Sequence, residues 1–134
     1  MIGIVVKNAQ IAFVAIAVAG LLFSVAQPRE VVAQSAAASG ADLYKRKCSS
    51  CHTMAANKIG PSHKGVFGRK AGLVTGYAYS PALKKSGIVW NDKTLDQWLL
   101  GPQKMVKGSK MYLAVPNAAE RTAIIGYLKS PAAK

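Results

Sequence analysis

Cys48, Cys51 and His52 stand together in the sequence Cys-Ser-Ser-Cys-His, and their types and spacing point to one kind of chemistry in this 134-residue chain. A C-x-x-C-H sequence is typical of covalent haem attachment. Two thiols add across the two vinyl groups of a haem, because two intervening residues let one helical turn reach both. The next residue, His52, then projects toward the iron. We therefore expect one covalent haem c, bound through Cys48 and Cys51 and ligated by His52.

Other uses of the two cysteines fit less well. A disulfide across two intervening residues closes a tiny loop and adds little stability. A thioredoxin-like redox pair needs a βαβ context, which the sequence does not predict. A zinc site needs two more ligands at suitable spacing, and the chain has only His52 and His63 to offer beside its cysteines.

The second axial ligand of the iron has four candidates. Met54 follows the proximal histidine too closely along the chain to reach the opposite face, and Met105 is expected to pack in a short turn. His63 is interpreted as a solvated loop histidine. Met111 lies in an extended polar loop, residues 108–111 (GSKM), between two predicted helices that could enclose the ring. Met111 is therefore the predicted sixth ligand, and a methionine that merely fills a gap is the alternative.

The elements that must position these residues are predicted to be helices separated by long loops. Capping residues and apolar residues at helical spacing indicate the helix boundaries, whereas glycines interrupt residues 57–80 and favour turns there. No strand pattern is evident. The predicted fold class is all-α, with three to five helices and long loops around one haem. Helices are expected over residues 41–47, from Asn91 or Asp92 to Gly101, and from Asn117 to Pro131.

The N-terminal part of the chain has the features of an export leader. Lys7 precedes an apolar run over residues 11–26, and residues 31–33 (VVA) suit a signal peptidase. The run is shorter than the roughly 20 residues that span a bilayer, yet nothing in the sequence forces cleavage. We expect residues 1–33 to be a signal peptide or an uncleaved anchor, 34–39 a linker and 40–134 the haem domain, which is periplasmic or held at the inner membrane.

The net charge of +13 is carried almost entirely by the haem domain. Removing residues 1–33 takes away Lys7, Arg29 and Glu30, so +12 remains. Such a surface attracts anionic partners. Export and the scattered placement of the lysines argue against nucleic acid, so an acidic patch on a redox protein is preferred to anionic lipid.

Beyond these motifs, the sequence resembles the mitochondrial-type (class I) cytochromes c and their bacterial relatives from Gly40 to about Lys129. The matching segments are 44–53 (YKRKCSSCHT), 59–70 (IGPSHKGVFGRK), 76–80 (GYAYS), 87–90 (GIVW), 94–102, 108–111 (GSKM) and 124–129 (IIGYLK). The resemblance implies a monomeric one-electron carrier rather than an enzyme, with His52 and Met111 as the axial ligands of the iron.

The resemblance also implies further roles in haem binding. The carbonyl of Pro61 would accept the Nδ1–H of the proximal histidine, a bond that fixes the tautomer of the imidazole. Arg69, Tyr79 and Trp90 match donors to a buried haem propionate, and Ser109 matches a hydroxyl residue near the other propionate. A carboxylate in a poorly solvated pocket needs such partners.

The implied partners are the acidic docking surfaces of a cytochrome reductase or oxidase, a reaction centre or a dehydrogenase. Lysines would surround the exposed haem edge and steer those partners: Lys58, Lys104, Lys107 and Lys110. The alternative function is a gas-binding or peroxidatic haem protein, in which Met111 is absent from the iron or leaves it easily.

The sequence departs from the family pattern around the haem. His63 stands where a leucine usually packs near the ring, so that a polar group enters an apolar place or the loop shifts. Leu83 replaces a common asparagine, and Trp98 replaces a tyrosine whose hydroxyl lies beside the methionine sulfur. These last two predict a drier distal pocket with fewer hydrogen bonds. Leu113 stands where an aromatic residue is frequent.

Overall fold

A computed structural model describes residues 39–134 of the chain. The predicted leader, residues 1–33, lies outside the described residues, as does the predicted linker apart from residue 39, which is already helical. Among residues 39–134, no helix has both the length and the apolar character that crossing a membrane requires.

Helices and loops make up the described part of the chain, in agreement with the all-α class. The helices are α1 over residues 39–47, followed by α2 Pro81–Lys85, α3 Asp92–Leu100, α4 Pro102–Met105, α5 Ala118–Lys129 and a 3-10 turn, Pro131–Ala133. Extended pairing within residues 39–134 is limited to an isolated bridge between Lys70 and Val89.

Helix α2 is the element that the sequence did not predict. It has only five residues, too few for an apolar periodicity to show. The Ser80 side chain accepts the N–H of Leu83, and Pro81 occupies the first turn, where its missing N–H costs nothing. This short helix matters because it places Leu83 in the core.

Helix α3 begins and ends where its sequence predicts. The Asn91 side chain accepts the N–H of Thr94, and the Thr94 hydroxyl accepts the N–H of Asn91, which satisfies two donors at the helix N-terminus. The apolar face buries Leu95, Trp98 and Leu99. Trp98 is therefore buried on a helix whose N-terminus is set by a capping box.

Arg121 is a buried cation on α5 that joins three parts of the fold. Its Nε donates to Asp96 Oδ1 of α3 at 2.7 Å. Its Nη1 donates to the carbonyl oxygens of Val115 and Pro116 at 3.0 and 2.7 Å. Because a buried charge is tolerated only when it is paired and hydrogen-bonded, this arginine fixes the turn that leads into α5 against α3.

Helices α1 and α5 approach each other closely at Gly40. A Cβ atom at Gly40 would collide with the carbonyl oxygen of Ala123, a backbone atom that cannot move aside, and would crowd Tyr127. The absence of a side chain at this position therefore sets the distance between the first and last helices.

We expect Gly40→Ala to lower the free energy of unfolding by about 1–3 kcal/mol, the range for added volume at a tightly packed site. Chemical denaturation followed by circular dichroism measures this change. Gly126→Ala on α5 is the matched control, because a Cβ there meets nothing within 4 Å. The control should gain up to about 1 kcal/mol from better helix propensity, and equal losses in both variants would contradict the close-approach argument.

Candidate haem site

The two cysteines lie in a turn that continues α1. The N–H of Cys48 donates to the carbonyl of Tyr44 at 2.8 Å, and the N–H of His52 donates to the carbonyl of Cys48 at 2.9 Å. The two sulfurs are not joined in a disulfide, and burial raises the pKa of the Cys48 thiol to about 11. One helical turn therefore presents both sulfurs and the histidine to the same space, as the spacing predicts.

The His52 ring is held at one edge by a backbone acceptor. Its Nδ1 lies 2.8 Å from the carbonyl oxygen of Pro61, so the ring donates Nδ1–H and keeps the lone pair of Nε2 for a metal. Burial lowers the pKa of His52, although the Pro61 contact acts in the opposite direction. Gly60 packs so closely that a Cβ atom there would collide with the ring.

An apolar cavity with a volume of ≈ 360 Å³ opens beside these residues, within the range of about 300–1,000 Å³ typical of cofactor pockets. Cys48, Cys51 and His52 line one part of it, and Met111 lines another. Two thiols, an imidazole with a free Nε2 and a thioether on apolar walls are the donor set that a covalent haem requires. The residues present therefore fit this cofactor. The remaining apolar lining includes Val66, Leu83, Leu95, Leu99, Ile124 and Leu128.

The other two methionine candidates are set apart from Met111 by position. Met54 and Met105 are partly buried against the core, but neither is among the residues that line the cavity. Met105 packs, as expected, and Met111 is the thioether that lines the same cavity as His52.

The expectation of fewer hydrogen bonds in the distal pocket is wrong at Trp98. Its indole Nε1 donates to Met111 Sδ at 3.1 Å, so the ring replaces the expected hydroxyl as a donor. The replacement of a tyrosine by Trp98 removes a hydroxyl, but the indole has one N–H, and the position of Trp98 on α3 aims it at the sulfur. Leu83, in contrast, is buried and adds only apolar surface to the cavity.

Gln103 on α4 holds the loop that carries Met111, a role that no sequence pattern predicted. Its Nε2 donates to the hydroxyl of Ser109 at 2.8 Å and to the carbonyl of Met111 at 3.0 Å. Its Oε1 accepts the N–H of Gly108 at 3.3 Å. One amide thus ties both sides of the loop to α4, in the manner of a satisfied buried polar network.

The predicted propionate ligands divide into two groups. Arg69, Tyr79 and Trp90 all line the cavity. Arg69 is oriented by the carbonyls of Lys64 and Ser62, at 2.7 and 2.9 Å, and burial lowers its pKa, although a guanidinium stays charged at neutral pH.

Ser109 is not among the residues that line the cavity. It is buried, and its hydroxyl is used in the Gln103 network. A direct role for Ser109 near the second propionate stays a prediction.

His63 is not the solvated loop histidine that the sequence suggested. Its ring stacks on the His52 ring with centroids 3.9 Å apart and planes inclined by 20°. Tyr44 Oη lies 3.2 Å from its Nδ1. Burial lowers the pKa of His63 to about 3, and the charges of His52 and Arg69 act in the same direction. An imidazole with a lowered pKa therefore packs against the His52 ring.

Exposed apolar and basic side chains lie together at the mouth of the cavity. Ile59 and Tyr112 line the cavity although they are 71% and 78% exposed. Lys110 lies at the same mouth, as predicted, and so does Lys47, which was not among the predicted lysines. Lys58, Lys104 and Lys107 are exposed but are not part of the cavity lining.

Comparisons with known proteins cover the part of the chain that contains the cavity. Residues 37–131 match the family model of cytochrome c. Cytochrome c of Gibberella zeae is 46% identical over 94 residues, which are 67% of this chain and 89% of that protein. Cytochrome c of Arabidopsis thaliana is 41% identical over 107 residues, 77% of this chain and 96% of that protein. The solved structure of cytochrome cH from Methylobacterium extorquens has a TM-score of 0.66 and 44% identity, covering 69% of this chain and 96% of that one.

We expect Gln103→Leu to loosen the Met111 loop without unfolding the helices, since it removes every hydrogen bond of the amide while keeping similar volume. Exchange of the Ser109 amide, whose N–H donates to Val106, should accelerate about tenfold or more, which corresponds to the ~1.4 kcal/mol scale of buried hydrogen bonds. Hydrogen–deuterium exchange measures this rate. Gln97→Leu, at an exposed position of α3, is the control, and an unchanged Ser109 rate in Gln103→Leu would contradict the role.

Proposed function

The chain belongs to the cytochrome c family, and on that premise we propose that it shuttles single electrons between redox proteins through a haem ligated by His52 and Met111. The resemblance inferred from the sequence is confirmed at the level of the family. Its members are electron carriers rather than enzymes, and they bind haem c covalently through two cysteines, here Cys48 and Cys51. The axial ligands, the partners and the location are the parts that we propose.

The observation that carries the ligand assignment is that His52 and Met111 line one apolar cavity and that each side chain makes one hydrogen bond that helps to orient it. The Pro61 carbonyl orients the imidazole at 2.8 Å, and the Trp98 indole orients the thioether at 3.1 Å. Because both side chains are held in place before the charge of the iron changes, we expect them to move little when its oxidation state changes.

When bound, the haem supplies one-electron exchange between ferrous and ferric iron. The side chains of the cavity contribute by excluding water, because its walls are mainly apolar. Arg69, Tyr79 and Trp90 supply donors from the cavity wall, and we propose that they compensate the charge of a haem carboxylate that would otherwise be buried unpaired.

We propose that the partners are acidic docking surfaces of redox proteins, such as a reductase, an oxidase, a reaction centre or a dehydrogenase of a respiratory chain. Lys47 and Lys110 lie at the mouth of the cavity, beside the exposed apolar side chains of Ile59 and Tyr112. Apolar centres with charged rims are suited to brief, electrostatically guided contacts. The chain is proposed to act as a monomer.

We propose a periplasmic location, with residues 1–33 either removed as a signal peptide or retained as an anchor at the inner membrane. The apolar run at 11–26 and the small residues at 31–33 support export. The intact mass of the exported protein distinguishes cleavage from retention.

Met111→Ala should keep the haem covalently attached while opening the iron to carbon monoxide. The ferrous absorption spectrum, recorded with and without the gas, checks this, and the wild type should not respond. Met105→Ala is the matched control, because Met105 packs outside the cavity lining. A wild type that binds the gas promptly would favour a ligand-binding or peroxidatic protein, and a Met111→Ala variant that resists it would refute the ligand assignment.

Reversing a charge at the mouth of the cavity should slow oxidation by an anionic reagent more than reversing one elsewhere. Lys110→Glu and Lys93→Glu change the net charge equally, but only Lys110 lies at the mouth. At low ionic strength we expect oxidation by ferricyanide to be about two- to fivefold slower in Lys110→Glu than in Lys93→Glu, and the difference should vanish at high salt. Stopped-flow kinetics measures the rates, and equal rates at low salt would contradict a guiding role.

A further inference from the structure

We propose that His63 is a positioning residue for the proximal ligand: its ring, held by Tyr44, fixes the orientation of the His52 ring and lowers the reduction potential of the haem. This inference rests on the proposed role of His52 as an axial ligand. It adds a role for a position where the sequence pattern of the family would predict only an aliphatic contact.

The first support is that the Pro61 hydrogen bond leaves the orientation of the ligand ring incompletely fixed. It holds the Nδ1 edge of His52 at 2.8 Å, but one hydrogen bond at one edge does not prevent the ring from tilting about it. The His63 ring covers a face of His52, with centroids 3.9 Å apart and planes inclined by 20°. A flat ring in contact over a face resists tilting in a way that one edge contact does not.

The second support is that His63 is itself held firmly. Its backbone N–H donates to the carbonyl of Thr53 at 2.8 Å, and its Nδ1 lies 3.2 Å from Tyr44 Oη. The Tyr44 ring meets the His63 ring edge-on at 5.7 Å and packs on Tyr127 of α5 at 5.1 Å. The orientation of the ligand is thereby linked, through two side chains, to the contact between the first and last helices.

The direction of the effect follows from polarity. An imidazole beside the ligand provides a polar, polarisable face where a leucine would provide an alkyl group. Polar surroundings favour ferric iron, which carries one more positive charge, whereas apolar surroundings favour the ferrous form. His63 therefore lowers the potential relative to an aliphatic residue at the same position.

Two variants of the holoprotein test the proposal, with a third as control. His63→Leu removes both the stacking and the Tyr44 contact, whereas Tyr44→Phe keeps the stacking and removes only the hydroxyl. Tyr127→Phe deletes a neighbouring hydroxyl on the other side of Tyr44. The readouts are the reduction potential, from spectroelectrochemical titration, and the spread of haem methyl shifts in the proton NMR spectrum of the ferric protein, which reports the orientation of the axial imidazole.

We expect His63→Leu to shift the ferric–ferrous equilibrium about threefold toward ferrous, which is ~28 mV at 59 mV per tenfold change for one electron, and to alter the methyl shifts. Tyr44→Phe should move both readouts in the same direction by less, and Tyr127→Phe should move neither.

Wild-type potentials and methyl shifts in both His63→Leu and Tyr44→Phe would overturn the proposal, even if thermal stability fell, because His63 would then be a packing residue. A lower potential in His63→Leu would overturn it equally. If His63→Leu does not fold, Tyr44→Phe decides by the same two readouts. Ferrous spectra insensitive to carbon monoxide would show that the axial ligands are intact, so that a failure of this proposal is separate from a failure of the ligand assignment.

Discussion

The hydrogen bond from His52 Nδ1 to the carbonyl oxygen of Pro61 constrains the whole segment that follows the cysteines. A carbonyl nine residues further along can reach the ring only if the chain turns back on itself. Backbone hydrogen bonds stabilise that return, from Gly60 to Cys51 at 2.7 Å and from His63 to Thr53 at 2.8 Å. A continued helix would direct its carbonyls along its own axis, so this region must be a loop.

The two sides of the haem site are built from different kinds of contact. His52 makes its one hydrogen bond with a main-chain carbonyl of a loop, whereas Met111 is held by the side chains of Trp98 and Gln103, which come from α3 and α4. Side-chain contacts can be broken one at a time, whereas several backbone hydrogen bonds hold the loop that follows His52. The distal loop is therefore the part of the site that should open first when the fold is perturbed.

The sequence predicted those features that depend on local chemistry. The haem motif, the cap at Asn91 and the thioether in the 108–111 loop are each readable from a few neighbouring residues. Three features were not: the stacking of His63 on His52, the donor at Trp98 and the network of Gln103. Each depends on which side chain a distant residue meets once the loops have closed, and spacing along the chain carries no information about that distance.

The same limit applies to Arg121, whose partners Asp96, Val115 and Pro116 lie on other elements. Helix α2 was not predicted for a local reason: its five residues are too few to show an apolar periodicity. Fold class and cofactor can therefore be predicted from the sequence. The side chains that contact His52 and Met111 can be identified only from the structure.

The few acidic residues explain how a strongly basic protein can still have a directed electric field. Three ion pairs use the carboxylates of α3 and α5, with side-chain contacts of 3.2, 2.7 and 2.9 Å. None of the described residues that line the cavity is acidic. The four carboxylates of residues 39–134 lie on α1, α3 and α5, outside the cavity lining, whereas the lining includes Lys47 and Lys110.

A cavity lining with lysines and without carboxylates makes the local potential at its mouth positive, in addition to the net charge of the protein. An anionic partner of the kind proposed above would then be attracted and also turned toward the mouth before contact, which would raise the fraction of encounters in a productive orientation. Because only the apolar rim around Ile59 and Tyr112 would remain to be desolvated, such a contact can be specific in direction and still brief.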